Sequence, residues 1–191
     1  MFFGRLDSCV GKLFWGNILL VICSAFYLAW WIVAFRPKSA SKGLGTNLLL
    51  LAAVAAGIGA VVFMTRGIST APHPVALFPS GLILWGGIAV YLILLVVTAF
   101  LLRRQVTTEL FLIIGWAMLE LSAIDALYGT GQAAFPISVF LIIVIAVAVV
   151  VSMICYLLYY RLEQTAGYSD GMIPLIVDAA AMACVAIATV I

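Results

Sequence analysis

Residues 136–160 read PISVFLIIVIAVAVVVSMICYLLYY, 25 positions without a single charge. At 1.5 Å per residue a helix of that length reaches about 37 Å, more than the roughly 30 Å of hydrocarbon in a bilayer. Working outward from it, five more apolar runs of spanning length occur, over residues 14–35, 46–65, 81–102, 107–128 and 172–191. Breakers separate them: Arg36-Pro37-Lys38 with Gly43 and Gly45, then Pro72-His73-Pro74 and Pro79, Arg103-Arg104, Gly129-Thr130-Gly131, and Gly167 through Gly171. Each run is apolar all round and not on one face only, so the reading is a single all-α transmembrane bundle of six spans covering 1–191. Composition agrees, with 67% of residues hydrophobic and 8% charged, where a soluble domain is about a quarter charged.

The ends and the loops add orientation. Residues 14–35 are too long an apolar stretch for a signal-peptide core, and no small-residue cleavage site follows, so they are read as a retained helix. Residues 1–13 mix Phe2, Phe3, Leu6 and Val10 with Arg5, Asp7 and Lys12, the pattern of a short interfacial helix. Arg36, Lys38, Lys42, Arg103, Arg104 and Arg161 fall on one side of the six spans, against Arg5, Lys12 and Arg66 on the other. Cationic loops stay inside, which places both termini outside. Trp30, Trp31, Tyr156, Tyr159 and Tyr160 then lie at inner span ends, as an interfacial aromatic belt does. A compact chain of this kind suits a cell membrane, of the bacterial inner-membrane type.

Helix contacts in lipid use small residues. In the second span Ala52, Ala56 and Ala60 form one row and Ala53 with Gly57 the next; in the sixth, Ala179 and Ala183 form one row and Asp178, Met182 and Ala186 another. Packing within the chain explains these rows ahead of a subunit interface.

Against this background the carboxylates stand out, because an intramembrane charge is costly and usually functional. Glu109 and Glu120 are eleven residues apart, three turns of helix, and share a face with Trp116. Asp125 is turned away from that face, and Asp178 lies about 9 Å, six residues, into the last span. Glu109 follows Thr107 and Thr108 and reads first as a charge in the capping turn. Asp125 reads equally as a partner for Arg66 or as a hydrogen-bond acceptor near the outer loop. Glu120 and Asp178 have no nearby cation in sequence, and for them a polar path or ligand site is read ahead of a purely structural hydrogen bond. Asn17 fits a path-lining role and a helix-to-helix hydrogen bond alike. The candidate path is therefore Glu120, Asp178, Asp125, Asn17 and Trp116.

Other chemistry is set aside. The net charge of +2 is small and its cations are dispersed, so no nucleic-acid partner is expected. Cys9, Cys23, Cys155 and Cys184 form no CxxC pair, and one histidine, His73, supplies neither a zinc cluster nor paired haem ligands. His73 between two prolines reads as a loop residue ahead of a pH sensor. There is no GxSxG elbow and no lysine inside a span. Neither a cofactor nor a metal is expected, and no enzymatic activity.

The layout of six short spans, with both termini outside and a last helix that closes the sequence, resembles the proton-gated urea channel and amide channel family. Arg36-Pro37-Lys38-Ser39 and Ala71-Pro72-His73-Pro74 resemble stretches at corresponding places there, and Asp178 sits where that family carries a glutamate. The stretch from Tyr91 through Arg161 is similar to the later helices of the acetate transporter family. The resemblance implies a homo-oligomeric ring, a hexamer, with a pore through each protomer for urea, an amide or a short carboxylate. The expected function is thus a channel or transporter for a small polar or weakly acidic solute, proton-gated or proton-coupled. Two rivals stand beside it: a non-catalytic membrane subunit of a larger complex, and the substrate-binding component of a vitamin importer.

Overall fold

The computed structural model describes residues 8–34, 44–72, 76–101, 108–159 and 164–191. All elements among them are helical: α1 (Cys9–Ala34), α2 (Leu44–Thr70), α3 (Leu82–Val96) continuing into a π turn (Val97–Leu101), α4 (Thr108–Gly129), α5 (Phe135–Tyr159), α6 (Gln164–Asp170) and α7 (Met172–Ala188). Six helical stretches are long and apolar enough to cross a membrane, the last running from Gly167 to Ala188. The protein is a six-span all-α membrane protein. Helices are the open solution here because lipid offers no partner to a free backbone N–H or C=O.

α4 is the central helix, packing against α3, α5, α2 and α7. α1 pairs with α2 and α7, and α7 with α5. α3 lies outside this ring on α4, with none of its residues buried and Trp85 70% exposed.

The α1–α2 pair shows how small residues set the crossing. Gly16 lies so close to Met64 and the Ala60 carbonyl that a Cβ there would overlap the Met64 side chain. Gly67 meets Leu13, and a Cβ on Gly57 would stand 3.3 Å from the Cys23 sulfur. The row that faces α1 is thus Ala53, Gly57, Ala60, Met64 and Gly67, with Ala53 and Ala60 fully buried, so of the two rows read from the sequence the one with Ala53 and Gly57 makes the contact, joined by Ala60. Packing within the chain uses the small residues, since close backbone approach is where dispersion contacts accumulate in lipid.

Several boundaries differ from the sequence reading. α1 begins at Cys9, so residues 9–13 open the first span and do not belong to an interfacial helix; residues 1–7 lie outside the described residues. The cause is local: Ser8 Oγ accepts the Gly11 N–H at 3.0 Å, an N-cap, and Leu13 packs fully buried in the core. α2 runs through Arg66 to Thr70, with the Thr70 hydroxyl donating to the Arg66 carbonyl at 2.7 Å. The Gly167–Gly171 breaker is mostly helix. α6 occupies it, and the chain turns into α7 at Gly171, where a Cβ would overlap the Trp31 ring. The Trp31 indole N–H donates to the Tyr168 carbonyl at 3.1 Å, so docking on α1 overrides the turn-like composition. A positive φ of 72° at Gly131 closes the short turn from α4 to α5.

The core is off-centre. Leu13, Met64, Ile124, Leu127, Leu141 and Val185 anchor one continuous cluster in the half of the bundle that holds the start of α1 and the end of α7. His73 and the six cations that orient the bundle lie outside the described residues.

Candidate functional site

The opposite half packs less continuously, around a second, smaller apolar cluster of Leu110, Ile114 and Tyr156. A cavity of about 340 Å³ lies where the C-terminal half of α1, the start of α4, the end of α5 and the α6–α7 junction meet. α1 and α4 flank it without packing extensively on each other.

Each helix supplies one stripe at helical spacing. α1 contributes Leu20, Cys23, Ser24, Tyr27 and Trp31; α4 contributes Glu109, Leu112, Ile113 and Trp116. α7 contributes Pro174, Leu175, Asp178 and Met182 after Asp170 and Gly171, and α5 adds Ser152, Cys155 and Tyr156 in a single turn. Steps of three and four residues keep such positions on one face. Glu109 is exposed at the mouth, and Trp116, seven residues on, is about 10 Å deeper.

Four polar groups, Ser152, Cys155, Asp170 and Asp178, cluster on the wall formed by α5 and the α6–α7 junction. The Ser152 hydroxyl donates to Asp178 Oδ1 at 3.0 Å, linking the two helices. The Cys155 thiol lies against the Asp170 carboxyl and within electrostatic reach of Asp178. Asp170 is only 9% exposed, and its Oδ2 has no hydrogen-bond partner among the described residues.

Beyond the floor, the same faces continue into the packed half. One turn past Trp116, Glu120 is fully buried, with neither carboxyl oxygen partnered among the described residues. The Trp116 indole N–H lies beside it but is equally without a hydrogen bond of proper geometry. One turn back from Leu20, Asn17 is fully buried; its Nδ2 donates to the Leu13 carbonyl at 3.1 Å, and its Oδ1 is unpartnered. On α5, Ser138 is fully buried with an unpartnered hydroxyl. Buried polar groups are normally paired, so three such residues deep in a lipid-embedded bundle are unusual.

Of the candidate path residues, Trp116 and Asp178 line the cavity, Glu120 and Asn17 lie past its floor, and Asp125 belongs elsewhere. The Asp125 carboxylate accepts the backbone N–H groups of Leu77 at 2.7 Å and Phe78 at 3.2 Å, tying the α2–α3 connection onto α4. Trp31 and Tyr156 are buried among the cavity walls and are not members of an interfacial belt. Asp170, Ser152 and Cys155 were not singled out by sequence. Asp170 sits in a Gly-Tyr-Ser-Asp-Gly string that reads as a turn, and the three-and-four stripe running from Gly171 to Met182 is the signal that points to it. Among the described residues no group of three His, Cys, Asp or Glu side chains is placed to hold a metal ion.

Comparison with protein-family models, with curated proteins and with solved structures yields no match.

Proposed function

We propose that this membrane protein is a non-enzymatic channel or transporter for a small polar solute, which enters through the cavity between α1, α4, α5 and α7. The observation that carries the proposal is the polar trail. A cavity reaches from Glu109 to Trp116, and beyond its floor Glu120, Asn17 and Ser138 present buried unpartnered atoms. Such groups are expensive to leave unmade. A passing solute or water file would pair with them in turn, as polar pore linings do. The packed half is then the gate, and its opening the step that completes the path. Protonation of Glu120 and Asp178 is the natural point of coupling or gating.

Urea, acetamide and the neutral form of acetic acid are the first solutes to test, following the resemblance to urea, amide and acetate channels. A ring of six copies with the apolar faces of α2 and α3 turned to lipid or to neighbours belongs to the same proposal, as does a cavity facing the cytoplasm of a bacterial inner membrane.

Purified protein in liposomes tests the reading. Flux of at least one of these solutes above protein-free vesicles is expected, falling tenfold or more in Glu120→Gln or Asp178→Asn. Unchanged flux in both variants would overturn the path.

A further inference from the structure

We propose that the cavity is a binding site for a small organic monocation, a substituted ammonium ion with a compact apolar body. The proposal rests on the reading of this cavity as a solute site and names the chemistry it selects.

Two features of the walls point to such a ligand. The first is charge. Asp170 is nine-tenths buried, lines the cavity and keeps Oδ2 unpartnered among the described residues. Asp178 shares the wall with it, the Cys155 thiol lying against one carboxyl and within electrostatic reach of the other. Ser152 satisfies one position on Asp178, whereas an ionised carboxylate offers about four acceptor sites. No Lys, Arg or His among the described residues lines the cavity.

The second feature is the aromatic surface. Tyr27, Trp31, Trp116 and Tyr156 come from three different helices and line the same space. A cation held near a ring face is attracted by the ring quadrupole, more strongly when it has shed its water. Carboxylates with aromatic rings in an otherwise apolar wall are the combination that an alkylated ammonium uses fully. Its charge is weakly hydrated, and its methyl groups fill apolar space.

Other ligand classes fit less well. A free anion meets three carboxylates, Glu109, Asp170 and Asp178, and no cation among the described lining. A neutral amide can donate to Asp170 but makes no use of the charge. A metal ion requires several oxygens grouped around one point, and no group of three candidate ligands exists among the described residues. The volume of about 340 Å³ lies at the small end of ligand pockets, which limits the cation to roughly one ring with one branched ammonium group.

The test is binding to the full chain in detergent, measured by titration calorimetry. The probes are benzyltrimethylammonium and its uncharged carbon isostere, neopentylbenzene. One saturable site for the cation is expected, with the isostere at least tenfold weaker. Asp170→Asn and Asp178→Asn are each expected to weaken the cation about tenfold and to leave the isostere unchanged. Equal affinity for cation and isostere, or no saturable binding of the cation, overturns the inference, and that comparison needs no variant. Cation binding without flux of any solute supports the site and overturns the transport reading. Urea or acetamide flux without cation binding supports transport and overturns the site proposed here.

Discussion

The two halves of the bundle are built from the same six spans yet packed in opposite ways. In one half, Leu13, Met64, Ile124, Leu127 and Val185 close around a continuous core, and small residues bring α1 and α2 to backbone contact. In the other half the same helices part around a cavity with carboxylates, a thiol and aromatic rings on its walls. Lipid-facing helices associate through dispersion and close approach, so the packed half supplies most of the cohesion, and the half with the cavity is held by the smaller Leu110–Ile114–Tyr156 cluster and the Trp31–Gly171 contact. The exception within the packed half is its buried polar residues, above all Glu120. They lower the stability of that half, because a buried polar atom without a partner keeps its desolvation cost.

The comparison breaks most severely at the α1–α2 crossing. Gly16→Leu forces a side chain into the Met64 side chain and against the Met64 and Ala60 backbone, and that backbone cannot move independently of α2. A loss of about 3 kcal/mol or more is expected, the upper range for overpacking, seen as a much lower melting temperature in detergent or as aggregation. A melt within a degree or two of wild type would show that the close approach is not the source of cohesion.

Asp125 comes next. Asp125→Ala leaves the Leu77 and Phe78 N–H groups without their acceptor and should cost about 1.5–3 kcal/mol, the range for hydrogen bonds to a charged group. Asp125→Asn keeps an acceptor oxygen and should cost less than half as much. Solute flux per folded molecule should be the same in both, since Asp125 serves the α2–α3 connection. A specific loss of flux in Asp125→Asn with unchanged stability would return this residue to the path.

Glu120 predicts a change of the opposite sign. Replacing a fully buried, unpartnered carboxyl by an apolar group of similar length removes its desolvation cost. Glu120→Leu or Glu120→Met should therefore stabilise the protein by about 1–3 kcal/mol while abolishing flux. Destabilisation by either would mean that Glu120 has a structural partner and that the polar trail ends at the cavity floor.

The smallest effect is expected on the cavity wall itself. Ser24→Leu adds volume where there is open space, so stability should change by less than about 0.5 kcal/mol. Binding at the site should nevertheless fall, because the added side chain occupies part of the cavity.

Much of this architecture is legible in the sequence, because span length and the absence of charge are properties of single segments. The shared face of Glu109, Trp116 and Glu120 follows from helical period alone. What stayed hidden depends on contacts between segments. Whether Ala52 or Ala53 faces a neighbour is a rotation of about 100°, which composition does not encode. The helical character of residues 167–170 is imposed by Trp31, 137 positions before the Tyr168 carbonyl it binds. Asp170 became a wall of the cavity only through that docking. Asp125 was legible as polar and near a loop, but its acceptor role required the position of Leu77 and Phe78, 48 and 47 residues away.

The difference between the two halves is tested most directly by thiol accessibility coupled to flux. In a background with Cys9, Cys23, Cys155 and Cys184 replaced, Ser24→Cys and Ala186→Cys report from the half with the cavity and the packed half respectively. Both would be treated with 2-(trimethylammonium)ethyl methanethiosulfonate in liposomes. The account predicts rapid labelling of Ser24→Cys with loss of solute flux, and labelling of Ala186→Cys at least a hundredfold slower. Equal labelling rates in the two halves, or full labelling of Ser24→Cys with flux intact, would contradict it.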